Sequence, residues 1–193
     1  MNHAIRIDRH RPWRAAETIF LVGPGGVGKS TIGRELAQRL NWPAIDLDLE
    51  FCDTIAEIGW FIKTNSYERY RAENLALAHR LMRAADRPVI FITSSGFLAG
   101  EPGSSDYRDA RQLVQRGYGM TLLPSLDIEV ATAIVVERQL TRGFGFQRET
   151  ETEKFRKRFD IYRSEGDMRI ISAAPPPQIA AAIEQALAIP LIP

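Results

Sequence analysis

Apolar residues along this chain fall into two alternating rhythms. Continuous runs at Thr18-Ile19-Phe20-Leu21-Val22, Val89-Ile90-Phe91-Ile92-Thr93, Met120-Thr121-Leu122-Leu123 and Met168 to Ile171 read as strands buried on both faces. Pro43-Ala44-Ile45-Asp46 reads as a shorter strand ending in a carboxylate. Between the runs, apolar positions recur at spacings of three and four. Ile32, Leu36, Ala37 and Leu40 give one face of a helix over 31–40. Further helices are expected from Asp46-Leu47-Asp48 through about Ile58, and from about Ser66 to Ala85, where Asp86-Arg87-Pro88 stops the chain. Asp106 is expected to cap a helix through Gln115 that ends at Gly117, and another helix covers Leu126 to Leu140. A charged helix follows the loop Thr141 to Gln147 and reaches about Arg163. Pro175-Pro176-Pro177 starts the last helix, through Leu187. Strands alternating with helices predict an α/β fold, a doubly wound parallel sheet of about five strands with helices on both faces. Residues 1–17 read as a flexible or loosely docked extension and 18–193 as one domain. Sheets of this kind bind ligands beyond the carboxyl ends of their strands, where Gly23, Asp46 and Ser94 all fall.

One of those strand ends carries a specific pattern. Gly23-Pro24-Gly25-Gly26-Val27-Gly28-Lys29-Ser30-Thr31 matches G-x-x-x-x-G-K-[ST] at every required position, between a strand and a helix. This context places backbone N–H groups at a helix N-terminus, where the dipole also favours an anion. Gly23, Gly25, Gly26, Val27, Gly28, Lys29, Ser30 and Thr31 are therefore the expected binding residues for a nucleoside triphosphate, ATP. Lys29 would reach the β- and γ-phosphates, and the Ser30 hydroxyl would ligate Mg²⁺.

Composition narrows the partners. With 193 residues, 45% hydrophobic and 25% charged, the chain can bury an ordinary core. A net charge of +1 gives no electrostatic case for nucleic acid, and no apolar run approaches a membrane span. The single cysteine, Cys52, excludes an internal disulfide and suits a reducing cytoplasm. Arg6, Arg9, Arg11 and Arg14 leave a mitochondrial-type presequence open, although Asp8 and Glu17 weigh against it. A monomer or small homo-oligomer is expected.

Other residues bear on chemistry with alternatives open. Asp46 and Asp48 stand two apart, and in an extended segment both would face the phosphate loop, one near Mg²⁺ and one as acceptor of a hydroxyl proton. Equally, Asp48 could only cap the next helix. Arg71 lies on a stripe with Leu75, Ala78, Met82 and Ala85, so it must find an anionic partner or a wet cleft. The plainer reading is a solvated arginine with an intrahelical Glu partner. Arg158 flanks the stripe of Phe155, Phe159 and Tyr162 on a helix that could be merely solvated. The loop Arg142-Gly143-Phe144-Gly145-Phe146-Gln147-Arg148 suits a lid supplying an arginine, Arg142 or Arg148, or an ordinary surface loop.

Together these segments resemble the shikimate kinase family of P-loop small-molecule kinases, over about Thr18 to Leu187. The phosphate loop with its Ser-Thr-Ile-Gly-Arg-Glu-Leu-Ala continuation carries the resemblance. So do Asp46-Leu47-Asp48 against the family's D-x-D, Tyr70-Arg71-Ala72-Glu73 against F-R-x-x-E, and Arg158 to Tyr162 against R-x-x-x-Y. The resemblance implies that Ser30 and Asp46 hold Mg²⁺, Asp48 is the catalytic base, and Arg71 and Arg158 clamp a substrate carboxylate. It gives Arg142 the role of lid arginine and Arg138 a place beside the adenine, though the lid lacks the family's R-P-L-L. One departure stands out: Ser94-Ser95-Gly96 replaces a triple glycine. Ser95 and Gly96 would still border the substrate, but serine adds a Cβ and a hydroxyl where the backbone would meet a ring. Trp60, Phe61 and Tyr67 also make the segment before Arg71 more aromatic than the family pattern. The expected activity is ATP- and Mg²⁺-dependent phosphorylation of a hydroxyl on a small carboxylated metabolite, with shikimate the best single guess. The rival is a catalytically weak ligand-sensing domain for an aromatic or cyclic acid. Retention of Lys29 and Asp48, and a stretch before the fold too short for a helix-turn-helix, favour the enzyme.

Overall fold

A computed structural model describes residues 4–101, 103–142 and 145–188 of the chain. Its centre is β2 (Ile19–Val22), four residues with no solvent exposure. It lies parallel between β5 (Tyr118–Leu123), with Ile19 opposite Tyr118, and β4 (Ile90–Ile92), with Ile19 opposite Ile90. Beyond β4 the sheet ends in β3 (Ala44–Asp46), and beyond β5 it continues into β6 (Met168–Ile171), both parallel to their neighbours. The chain reaches β4 before crossing over β2 to β5, so the direction of winding reverses beside β2. That reversal opens a crevice at its carboxyl end, the place where such sheets take ligands.

The five parallel strands expected from the apolar runs are present, and a sixth strand joins them. β1 (Arg6–Arg9) pairs antiparallel with β6, Arg6 opposite Ile171 and Arg9 opposite Met168. Residues 5–11 are therefore docked on the sheet rather than loosely held. Ile5 and Ile7 pack against the core, and Arg9 Nη1 donates to the Ala186 carbonyl at 2.8 Å. Arg11 bonds Glu17 and Asp167 at 2.9 Å each, and its guanidinium lies 4.7 Å from the centre of the Tyr118 ring. Arg-Ile-Asp-Arg hid this strand because an edge strand that keeps charges outward has only half an apolar pattern to show.

The helices follow the expected order with two changes. After α1 (Lys29–Leu40), the single helix expected through Ile58 is two, α2 (Leu47–Thr54) and α3 (Ile58–Thr64). Glu57 separates them by accepting from the Gly59 and Trp60 backbone N–H groups, a cap that opens α3. α4 (Tyr67–Ala84) starts at Ser66, whose hydroxyl accepts from Arg69 N at 3.1 Å. In α5 (Ser105–Gln115) the capping side chain is Ser104 and not Asp106, which frees Asp106 for another partner. α6 (Ile128–Leu140), α7 (Arg148–Ser164) and α8 (Pro176–Ala188) complete the chain. α1 seats closely on the sheet because Gly33 has no side chain: a Cβ there would lie 2.6 Å from Ile92.

Candidate active site

The loop between β2 and α1 turns only because of its glycines. Gly23, Gly26 and Gly28 have φ of 148°, 77° and 95°, which side chains rarely adopt. A Cβ at Gly23 would stand 2.8 Å from the Leu122 carbonyl, and one at Gly26 3.0 Å from that of Val135. Val27 is buried beneath the loop, Ser30 is partly exposed at the first turn of α1, and Thr31 faces outward. The Lys29 ammonium is buried and donates to the Gly23 and Pro24 carbonyls at 2.8 and 3.0 Å. Burial pushes its pKa down to about 8, against the pull of Asp48 and Asp46. A backbone cradle that admits no Cβ, with a buried cation in it, fits a chain of phosphates.

The two aspartates approach this loop, though not as a pair on one extended strand. Asp46 ends β3 at the N-cap position of α2 without capping it, and its carboxylate lies 3.7 Å from Arg34 Nη1. Asp48 is already in the first turn of the helix. It is therefore neither the cap nor extended, and the alternation argument does not apply. Both carboxylates nevertheless act on Lys29. Burial raises the pKa of the Asp48 carboxyl while nearby Lys29 opposes that rise, and the Tyr70 hydroxyl donates to its Oδ1 at 3.4 Å. Ser30 opens α1 beside the phosphate loop and Asp46 ends β3, two oxygen donors of the kind a hard divalent cation takes. Among the described residues no cluster of three His, Cys, Asp or Glu forms an all-protein metal site.

A cavity of about 330 Å³ opens from Pro24, Gly25 and Asp48. Ile58 and Ile62 of α3, Tyr67 and Tyr70 of α4, and Phe155 of α7 form its apolar walls. Arg158 stands in it, donating through Nη2 to the Tyr67 hydroxyl at 2.9 Å and through Nη1 to Ser95 Oγ at 3.4 Å. Gly96 lies directly beneath Tyr67: a Cβ there would be 2.2 Å from the phenol oxygen. The two serines divide. Ser95 lines the cavity, whereas Ser94 is buried and donates to Asn74 Oδ1 at 2.9 Å, on the side of α4. Crowding at this wall thus comes from Ser95 and Tyr67, not from both serines.

Arg71 is elsewhere. Its Nε and Nη2 donate to Asp106 Oδ2 at 2.9 and 2.7 Å, and its Nη1 to the Gly96 carbonyl at 3.0 Å. It lines a second, water-sized cavity of about 10 Å³ with Asn74, Ser94 and Asp106. The anionic partner its position demanded exists, but on α5 rather than on its own helix or in the ligand cleft.

On the lid side, Arg142 Nη1 donates to Gln139 Oε1 at 3.0 Å and its charge bears on both Lys29 and Asp48. Arg148 instead pairs with exposed Glu137, so of the two lid arginines only Arg142 is directed to the site. Gly143 and Phe144, expected as part of the lid, lie outside the described residues. Arg138 is half-buried, its pKa lowered by that burial, and donates to the Ala173 carbonyl at 3.3 Å. Sequence reasoning passed over Gln139 and Glu151, both buried, with Gln139 Nε2 donating to Glu151 Oε2 at 3.3 Å and Lys154 bonding Glu151 at 2.8 Å. Nothing in the sequence signals them; in the structure a Cβ at Gly25 would come within 2.7 Å of Gln139 Nε2.

The family model for shikimate kinase matches residues 25–188 of this chain. The chain belongs to the shikimate kinase family. Among curated relatives, the shikimate kinase of Halorhodospira halophila is 35% identical over 103 residues, 53% of this chain and 56% of that protein. Shikimate kinase 1 of Yersinia pestis is 35% identical over 115 residues, 58% of this chain and 61% of its own length. The chain thus spans less than two thirds of the length of the curated relatives it matches. Among solved structures, shikimate kinase from Acinetobacter baumannii in complex with shikimate shares the fold at a TM-score of 0.71 and 24% identity, covering 90% of this chain and 93% of that one. A gluconokinase from Sinorhizobium meliloti follows at a TM-score of 0.62 and 22% identity, covering 92% and 94%. The family's fold therefore carries more than one acceptor, and the acceptor has to be argued from side chains.

Proposed function

We propose that this family member transfers the γ-phosphoryl group of ATP to a hydroxyl of a small carboxylated metabolite, with shikimate the leading acceptor. The observation that supports it most is one cavity with Asp48 and the phosphate loop at one end and the Arg158 guanidinium within it. Lys29 holds the β- and γ-phosphates, and Arg142 adds positive charge where negative charge spreads in the transition state. Asp48 accepts the proton of the attacking hydroxyl as its oxygen bonds to phosphorus and the bond from phosphorus to the ADP oxygen breaks. Its burial suits that role, because a carboxylate made more basic is a better proton acceptor. Arg158 anchors the acid, and Arg138 borders the adenine. Ser30 and Asp46 would hold Mg²⁺, which when bound neutralises phosphate charge. The site is small-molecule in scale, and neither nucleic acid nor membrane is part of this reading; among the described residues no helix is long and apolar enough to cross a membrane. A cytoplasmic monomer or small homo-oligomer completes it.

The test is ADP release from ATP and Mg²⁺ over a panel of hydroxy acids that includes shikimate and gluconate. Release stimulated by an acid, well above hydrolysis of ATP alone, supports the kinase. Binding of an acid with no stimulated release supports the sensing domain instead.

A further inference from the structure

We infer that Tyr70 is a positioning residue for the reaction, its hydroxyl aiming the Asp48 carboxylate at the acceptor's attacking hydroxyl. The inference rests on the kinase reading above and adds a residue to the machinery around its proton acceptor.

Asp48 needs such a partner. It projects from the first turn of α2 into the cavity, and the last torsion of an aspartate has broad wells that leave its two oxygens free to turn. Lys29 and Arg142 act on it through charge, which attracts a carboxylate without fixing which oxygen faces where. Among the described residues the Tyr70 hydroxyl is the hydrogen-bond donor to it, reaching Oδ1 from α4 at 3.4 Å. Catalytic contacts of this kind run long before the reactants bind and tighten with them. With Oδ1 held, Oδ2 is the oxygen presented to the acceptor's proton.

The ring that carries this hydroxyl is seated by packing and not by the bond to Asp48. Tyr70 is buried, its ring centre 5.1 Å from that of Phe51 and 5.9 Å from that of Tyr67. Phe51 lies one turn beyond Asp48 on α2, so the contact that seats Tyr70 also sets it beside the carboxylate. The hydroxyl itself sits in a polar niche. Ser94 lies against it, and Ser94 gives its own hydrogen to Asn74 Oδ1 at 2.9 Å. The one hydrogen of Tyr70 therefore has two acceptors, the neutral Ser94 oxygen and the Asp48 carboxylate, and the charge decides for Asp48. Burial and the Asp48 charge hold the phenol's pKa well above its usual value, so that hydrogen stays available to donate. Tyr70 occupies the aromatic position of the F-R-x-x-E pattern. A phenylalanine there would keep the packing and leave Asp48 without its donor.

The experiment separates the hydroxyl from the ring. Wild type, Tyr70→Phe, Asp48→Asn and the double variant are assayed for ADP release with ATP, Mg²⁺ and shikimate, and again with gluconate. Thermal melting checks the folding of each. Tyr70→Phe should lower kcat by about tenfold, the worth of one hydrogen bond to a charged group. The acceptor KM, the ATP affinity and the melting temperature should stay near wild type. In the double variant turnover should equal that of Asp48→Asn, because a carboxylate that is gone has nothing left to aim. A role confined to packing would multiply the two losses instead, which would overturn the inference and leave the kinase intact. So would an unchanged kcat in Tyr70→Phe, or a raised KM as its only change, since Tyr70 would then touch the acid rather than position the base. If wild type binds ATP yet neither binds nor turns over either acid, the kinase reading fails and this inference with it.

Discussion

At the end of β2, the phosphate loop is held by its own chain. Gly23, Gly26 and Gly28 set the turn, and Lys29 bonds back to the carbonyls of Gly23 and Pro24, six and five residues away. At the end of β4, the Ser94-Ser95-Gly96 turn is held by side chains from two distant helices. Asn74 and Arg71 of α4 bond Ser94 Oγ and the Gly96 carbonyl, while Arg158 and Tyr162 of α7 bond Ser95 Oγ and the Ser95 carbonyl. The first region can change little without losing its shape, because its turn and its lysine bonds are local and its glycines leave no room for side chains. The second depends on residues far away in the chain, with Tyr67 and the Arg71–Asp106 pair among them. In the proposed function, phosphate binding is accordingly the rigid half of the site and acceptor recognition the adaptable half.

This contrast can be broken by mutation, beginning at the rigid half. Lys29→Ala should lower turnover by about three orders of magnitude or more, because the transferring phosphates lose a fixed counter-charge. A loss of only a few-fold in steady-state kinetics would mean that the loop does not hold the reacting nucleotide. Asp48→Asn should depress kcat by roughly 10²–10⁴ with both substrates still binding, the cost of losing a positioned proton acceptor. Arg158→Ala should raise the acceptor KM by on the order of 30-fold or more while ATP affinity in calorimetry stays near wild type, a change confined to the adaptable half.

The smallest effects sharpen the division between the two serines. Ser95→Gly removes a hydroxyl from the cavity wall and should change the acceptor KM by a few-fold, improving shikimate against other acids if the Cβ crowds its ring. Ser94→Gly should leave that KM nearly constant and destabilise the protein by about 1–3 kcal/mol in denaturant unfolding, since buried Asn74 loses its hydrogen-bond partner. Reversed results would place Ser94, not Ser95, against the acceptor.

The same contrast explains what could be read from the sequence. The five parallel strands, the phosphate loop and the order of helices were legible because each depends on periodicity or spacing within about twenty residues. The approach of Asp48 to Lys29 was legible by spacing, though its place in α2 rather than on an extended strand was not. Arg71 marks the limit. Its stripe position rightly demanded an anion, but the choice between a substrate and Asp106 depends on how α5 packs against α4, a contact between residues 35 apart. β1 was missed for a related reason: four residues with one strong apolar position become a strand only when β6 supplies the pairing. Gln139 and Glu151 leave no pattern at all, since a buried polar pair across two helices has no period.

The central claim is that both halves act in one reaction, and the direct measurement is a phosphorus NMR time course of the protein with ATP, Mg²⁺ and shikimate. A phosphomonoester resonance that grows one-for-one with ADP is the predicted result, because the γ-phosphoryl group then passes to the acceptor hydroxyl and not to water. ADP appearing only with inorganic phosphate, or no ADP at all while ATP and the acid are both bound, would contradict it.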